Sequence, residues 1–259
     1  MGVLNITPDS FSDGGAWFAP EQAIAHARRM VEEGAAIIDV GGESTRPGAA
    51  PVTLQQELRR VIPVIEALHE SIPVPISVDT RKPDVMRAAV AAGAGLINDV
   101  SALQAPGAIG TVAELGVPVC LMHMQGTPES MQDSPDYRDV VGEVKNFLTA
   151  RARACVAGGI APERILLDPG FGFGKTTGHN LQLLRQLDRL VQAGYPVLVG
   201  LSRKSLIGKV MGLAVDKRLY PSVALAVLAV WNGAVLVRCH DVQETREAIE
   251  MSQAVRDVV

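Results

Sequence analysis

Eight short runs of apolar and β-branched residues recur along the chain, at 2–6, 36–40, 75–79, 96–99, 117–123, 165–168, 197–201 and 235–240. Their starts average roughly 33 residues apart, which suits one strand and one returning helix each. The intervals carry helical periodicity. Ile24, Ala27, Met30 and Val31 form one stripe in 20–33, and Leu58, Val61, Ile62, Ile65 and Leu68 form another in 54–68. Leu181, Leu184, Leu187 and Leu190 recur at spacings of three in 180–191. Gly34, Gly93, Gly116 and Gly194 follow helical runs, as left-handed C-caps do. Strands apolar on both faces and alternating with helices imply a parallel sheet covered by helices. Eight such units predict closure into a (β/α)8 TIM barrel of the α/β class, with an open doubly wound sheet as the other arrangement. The length of 259 residues suits one barrel of roughly 250. No Pro/Ser-rich linker divides the chain, so residues 1–259 are read as a single domain.

Composition removes several functional classes. A 47% hydrophobic content is too high for a disordered chain. Lys+Arg 24 against Asp+Glu 28 gives a net charge of −4, without the basic footprint of a nucleic-acid binder. Cys120, Cys155 and Cys239 make an odd set without CxxC spacing, so neither a disulfide framework nor a structural zinc site is expected, and the compartment is read as a reducing cytoplasm. The opening residues have neither the basic start nor the apolar core of a secretion signal. The longest apolar stretch, 223–237, is interrupted by Asn232 and Gly233 and falls short of the roughly 20 residues that span a bilayer, so no membrane partner is expected.

Nearly every strand run ends in a polar residue: Asn5, Asp39, Asp79, Asn98 with Asp99, His123, Asp168, Ser202 to Lys204, and Arg238 with His240. One such residue needs no more explanation than the water it emerges into. A closed barrel gathers all eight ends on one rim, where barrel enzymes carry their active sites. The loops that follow are rich in glycine, hydroxyls and basic residues, at 5–15, 41–49 and 170–175. Such loops suit an anion, and none matches GxGxxG or GxxxxGK[ST], so no nucleotide motif is present. The stretch 124–137 has no periodicity and reads as a long functional loop. Arg238 and His240 are two apart on one strand and share a face, which turns Cys239 outward as an inert core thiol.

The segments MGVLNITPDSFSDGG (1–15), GGESTRPGA (41–49), ISVDTRKP (76–83), LINDVSAL (96–103), DPGFGFGK (168–175), GLSRKSLIG (200–208) and RCHDVQET (238–245) resemble the dihydropteroate synthase family, from residue 1 to about 254. The resemblance implies a (β/α)8 barrel, a homodimer and magnesium as cofactor. It implies a transferase of folate biosynthesis that joins (7,8-dihydropterin-6-yl)methyl diphosphate to 4-aminobenzoate and releases pyrophosphate. Sulfonamides mimic the aminobenzoate. By the resemblance, Asp168, Asn98, Asp79 and Lys204 grip the pterin, with Thr45 beside it. A carboxylate can accept two adjacent N–H donors of the pterin edge, as it accepts an arginine fork. Asn5, Arg238 and His240 face the diphosphate, and Asn5 contacts the metal. Phe11, Thr45, Arg46, Pro47, Phe173 and Ser205 form the aminobenzoate pocket.

The chemistry expected is a dissociative substitution. Asp79 stabilises a cation at the pterin methylene, while Arg238, His240, Lys204 and the metal stabilise the leaving group. Two other readings share part of this pattern. A methyltransferase pterin-binding barrel would share the pterin grip but lack the Ser-Arg-Lys-Ser and Arg-x-His set. A catalytically silent binding protein would have lost one of the named residues, and all are present. Three departures from the family stand out: Met1 directly adjoins the first strand run, Pro221 replaces a usual glycine, and Cys239 replaces a usual valine. Pro at a first helical position is tolerated. The apolar run of Val223, Leu225, Val227, Leu228 and Val230 is read as packing on the barrel wall, next to the usual dimer surface.

Overall fold

The structure is a computed structural model, and it describes residues 1–6, 20–44, 48–127 and 130–258. Strands and helices alternate along the chain: β1 (Gly2–Asn5), α1 (Pro20–Glu32), β2 (Ile38–Gly41), α2 (Leu54–Ser71), β3 (Ile76–Asp79), α3 (Pro83–Ala91), β4 (Leu96–Asp99), α4 (Ala108–Leu115), β5 (Val119–Met122), α5 (Val140–Ala157), β6 (Ile165–Asp168), α6 (Thr177–Arg185), α7 (Leu187–Val191), β7 (Leu198–Val199), α8 (Ser205–Met211), α9 (Leu219–Trp231), β8 (Leu236–Val237) and α10 (Val242–Arg256).

Strands β1 to β6 form one parallel sheet in sequence order, and β7 pairs with β8 in parallel. Parallel bridges close both seams. Leu167 of β6 pairs with Val197 ahead of β7, and Gly2 of β1 pairs with Cys239 behind β8. Across the second seam the Val3 amide donates to the Cys239 carbonyl at 3.1 Å, and the Cys239 amide donates to the Met1 carbonyl at 3.0 Å. The ring is therefore the eight-stranded (β/α)8 barrel that the strand spacing predicts, and the open sheet is excluded.

Period-two alternation sorts the strand residues into two apolar clusters. Leu4, Ile38, Val40, Val78, Ile97, Leu121, Leu167, Val199 and Cys239 join the large cluster that includes the helices. Met1, Leu96, Cys120 and Leu198, with Ile37, Leu166 and Leu236, form a small separate cluster. That second set is the barrel's inner floor. Two residues further along the same strands come Asp39, Asn98, Asp168 and Arg238, so the inner wall turns from apolar to polar towards the C-terminal rim.

Local sequence explains the helices. α2 opens with a capping box, Thr53 Oγ1 accepting from the Gln56 amide while the Gln56 side chain accepts from the Thr53 amide. It buries Val61, Val64, Ile65 and Leu68, and leaves Leu58 and Ile62 half-buried. The four glycines expected as C-caps all have positive φ (96°, 114°, 64° and 85°).

Several boundaries differ from the sequence reading. β7 and β8 are two residues each, shorter than 197–201 and 235–240, because their partners across the seams contribute single bridges. The stretch 180–191 is two helices, broken at Gln186 (φ −116°, ψ 31°). The break puts Leu184, Leu187 and Leu190 in the core and leaves Leu181 44% exposed. α9 starts at Leu219, so Pro221 is its third residue, still within the first turn, where a missing N–H costs no intrahelical bond. Along α9, Val230 is buried, Val223, Leu225 and Val227 are half-buried, and Leu228 is 51% exposed. Only part of that run packs on the barrel.

Candidate active site

The polar rim is assembled from strand ends more than 200 residues apart in sequence. Arg238 Nε donates to Asp39 Oδ2 at 2.6 Å, and Arg238 Nη2 donates to Asp79 Oδ2 at 3.1 Å. Asn98 Nδ2 donates to the same Asp39 oxygen at 3.3 Å. Burial works against charge on Arg238, but Asp39 and Asp79 outweigh it and raise its pKa further. Burial pushes Asp79 up to about 7, against the pull of Arg238, with Asp39 adding a like charge.

Across the opening, Asp168 ends β6 and is buried. Its Oδ1 accepts from the Gly170 amide at 2.7 Å, and its Oδ2 accepts no hydrogen bond among the described residues. The aspartate thus closes the turn over Pro169 and still offers an acceptor to the opening. Burial raises its pKa, opposed by the Gly170 N–H and by Lys204, Lys175 and Arg238. Asp168 and Arg238 each lie two residues beyond a member of the inner-floor cluster, Leu166 and Leu236, so both point inward at the same mouth of the barrel. Lys204 immediately precedes α8 and holds its ammonium 4.2 Å from the centre of the Phe173 ring. Burial, then Arg238, bring its pKa down to about 8, while Asp168 and Asp79 support its charge.

The loop after β6 is held by side chains. The Lys175 ammonium is buried and meets His123 Nδ1 at 3.0 Å; it also donates to the carbonyls of Phe173 (2.8 Å), Gly170 (3.0 Å) and His123 (3.2 Å). Gln132 donates to the Gly172 carbonyl and Tyr137 to the Gly174 carbonyl, each at 2.7 Å. The aperiodic 124–137 stretch therefore clamps the loop that carries Phe173. Gly170 cannot be replaced by a larger residue: its φ is 67°, and a Cβ would lie 2.0 Å from the His123 carbonyl oxygen.

His240 Nδ1 lies 3.0 Å from Ser202 Oγ, and the His240 amide donates to that hydroxyl at 3.2 Å. Burial, then Arg238, depress its pKa to about 4, so the ring is neutral at pH 7. Asn5 ends β1, in register with Gly41 and, one strand further, Asp79. A Cβ on Gly41 would sit 3.7 Å from both Asn5 Oδ1 and Asp79 Oδ2. The glycine thus leaves an open space walled by two hard oxygen donors. No group of three or more His, Cys, Asp or Glu side chains among the described residues could cage a metal.

Of the residues picked from the sequence, Asn5, Asp79, Asn98, Asp168, Phe173, Lys204, Arg238 and His240 lie on this rim. Ser205 is exposed at the first position of α8. Phe11, Thr45, Arg46 and Pro47 lie outside the described residues. The sequence reading assigned no role to Asp39, Ser202 or Lys175. For Asp39 a signal existed: it lies two residues beyond Ile37, the same offset that puts Asp168 beyond Leu166 and Arg238 beyond Leu236.

The chain matches the family model described as "Pterin binding enzyme" over residues 1–240. It is 52% identical over 254 residues to the dihydropteroate synthase of Escherichia coli strain K12, covering 98% of this chain and 90% of that protein. It superimposes on the Xanthomonas albilineans dihydropteroate synthase with 4-aminobenzoic acid at a TM-score of 0.95 and 55% identity, covering 100% of this chain and 93% of that one. Its similarity to the Yersinia pestis dihydropteroate synthase in a sulfonamide drug complex is the same in shape, with a TM-score of 0.95 and 51% identity over 99% of this chain and 94% of that one.

Proposed function

This chain belongs to the pterin-binding enzymes, and within them to the dihydropteroate synthases, and on that premise we propose how its rim residues divide the reaction. The enzyme joins (7,8-dihydropterin-6-yl)methyl diphosphate to 4-aminobenzoate, giving 7,8-dihydropteroate and pyrophosphate, in folate biosynthesis. The observation that carries the division of labour is that two acid–base groupings share one rim: Asp168 with Lys204 beside the Phe173 ring, and Arg238 with Asp39 and Asp79.

In this reading Asp168 accepts from the N–H edge of the pterin, helped by Asn98 and Asp79, and Lys204 donates to the ring carbonyl and nitrogen. Each charge-assisted bond contributes roughly 1.5–3 kcal/mol. The bond from the methylene carbon to the diphosphate oxygen breaks, and both electrons leave with pyrophosphate. The amino nitrogen of 4-aminobenzoate then bonds to that carbon and loses a proton. The charge on the methylene is stabilised by the ionised form of Asp79, which Arg238 favours, and the charge on the diphosphate by Arg238, with the neutral His240 ring donating an N–H. Ser202 fixes the side of the His240 ring that faces away. Phe173 gives an apolar face to the benzene ring, and the family resemblance assigns Phe11, Thr45, Arg46, Pro47 and Ser205 to the same substrate.

Magnesium suits this rim, because a small hard cation keeps several waters and binds through one or two protein oxygens plus substrate phosphates. Asn5 would hold it together with the diphosphate, and when bound it neutralises charge on the leaving group. A homodimer is supported by the outer face of α9, where Tyr220, Leu228 and Trp231 are 83%, 51% and 53% exposed. α10 packs against α9 and exposes Met251 and Val255. Such a patch calls for a partner surface, and Leu228→Glu with Trp231→Lys should yield monomers by sedimentation. A reducing cytoplasm is supported by three cysteines that are all free and buried. No helix among the described residues is long and apolar enough to cross a membrane.

Pyrophosphate release with and without 4-aminobenzoate tests the reaction. Steady-state release matched by 7,8-dihydropteroate formation is expected when 4-aminobenzoate is present; no release, or release with no 7,8-dihydropteroate formed in the presence of 4-aminobenzoate, refutes the assignment.

A further inference from the structure

The reaction as divided above gives Asp39 no task, yet Asp39 is in contact with both halves of the site. It is fully buried on β2 and pairs with Val3 and Ser77 on the flanking strands, two positions deeper than Gly41, which is in register with Asp79. One of its oxygens, Oδ2, accepts from Arg238 Nε at 2.6 Å and from Asn98 Nδ2 at 3.3 Å. The other, Oδ1, is buried without a hydrogen-bond partner among the described residues, as is the neighbouring Ser77 Oγ. A buried carboxylate with one oxygen unpartnered is costly to keep. Its placement is therefore better explained by what it does to Arg238 and Asn98.

Two consequences follow from the geometry. An ionised carboxylate only accepts, so the Asn98 atom facing it must be the amide nitrogen, and the amide oxygen is turned the other way. That oxygen is the acceptor a pterin N–H requires. Arg238 is gripped at Nε, the root of its fork. Nη2 extends to Asp79 and Nη1 carries no hydrogen bond among the described residues, so the outer edge of the guanidinium is available to an anion.

We propose that Asp39 is a positioning residue that sets two groups at once, aiming Arg238 at the leaving diphosphate and fixing Asn98 with its oxygen towards the pterin. This rests on the reaction assigned above. Asp39 acts through its two neighbours, so its removal should alter turnover and anion binding while leaving the aminobenzoate pocket unaffected.

The test compares the wild-type enzyme with D39N, R238A and the double variant. Calorimetry gives the affinities for pyrophosphate in the presence of magnesium and for a pterin without the diphosphate, and steady-state rates give kcat and the KM for 4-aminobenzoate. D39N should lower kcat about 30-fold, pyrophosphate affinity about tenfold and pterin affinity about fivefold, with the aminobenzoate KM within about twofold. On the R238A background, D39N should lower kcat by no more than about threefold further, since most of its effect runs through the missing arginine. Asp39→Ser, which places no amide in the wall, should show the same order of effects. Fully additive losses in the double variant, or a uniform loss of every affinity in both Asp39 variants, would overturn the proposal. A wild-type enzyme that releases no pyrophosphate overturns the assigned reaction. Unchanged pyrophosphate and pterin affinities in D39N overturn the role of Asp39 independently of that.

Discussion

Two cations on the same rim, Arg238 half-buried and Lys175 buried, are stabilised in opposite ways. Arg238, at the end of β8, is flanked by the carboxylates of Asp39 and Asp79. Lys175, in the loop after β6, has no carboxylate in hydrogen-bond reach among the described residues and is surrounded by three carbonyls and the His123 ring. Ion pairing keeps Arg238 charged at any accessible pH. Burial brings Lys175 down to about 7, with Asp168 only partly restoring its charge. The difference separates chemistry from scaffold. A guanidinium held by two acids on one edge can turn its other edge to a diphosphate. An ammonium saturated by carbonyls can only hold a loop in shape.

Four experiments would break or sharpen this contrast. The largest effect is expected at the carboxylate the β6 loop supports. Asp168→Ala should reduce pterin affinity by about 10² to 10⁴, from two charge-assisted bonds, with the loss read by calorimetry. Affinity within a factor of two of wild type would refute the grip. Arg238→Ala should lower kcat by about 10² to 10³ with a smaller change in pterin affinity, as measured by pyrophosphate release. An effect confined to KM would assign it to ground-state binding.

Lys175→Met should behave differently from either. It leaves three carbonyls and a histidine nitrogen without their donor, at a cost of about 2–4 kcal/mol in urea unfolding. The KM for 4-aminobenzoate should rise more than that for the pterin substrate, because Phe173 is attached to the loop that is loosened.

The smallest effect is a pH slope. The folded pKa of Lys175 is about 7, below its ordinary 10.5. Below pH 7 both states carry the proton and the full cost of burying it is present. Between 7 and 10.5 the unfolded chain binds more protons than the folded one, so the folded state gains as pH rises. Wild type should gain about 2 kcal/mol relative to Lys175→Met between pH 7 and 9. Equal slopes in the two proteins would show that the Lys175 pKa is not depressed.

Much of the fold was legible because barrel strands leave two periodic marks. Every second residue packs on helices, which makes the runs apolar, and each run ends at a rim, which makes the ends polar. The split between α6 and α7 was not legible, because leucines at spacings of three fit a continuous helix as well as a broken one. The break at Gln186 is a backbone event with no proline or glycine to announce it. Most of the site was legible as strand-end residues. Asp39 was visible as one more strand-end acid, but its role was not, because it comes from a partner 199 positions away.

The sequence by itself determined the eightfold β–α alternation, the inward parity of Asn98, Asp168 and Arg238, and the chemical types available on the rim, because these depend on spacing and on side-chain identity alone. Only the tertiary structure decided which acid holds which base. Barrel closure brings β8 beside β1 and within reach of β2 and β3, so Arg238 meets Asp39 and Asp79, whereas Lys175 is left to carbonyls. Pairing energies in a buried site depend on distances of a few ångströms and on desolvation, and neither is encoded in the order of residues along the chain.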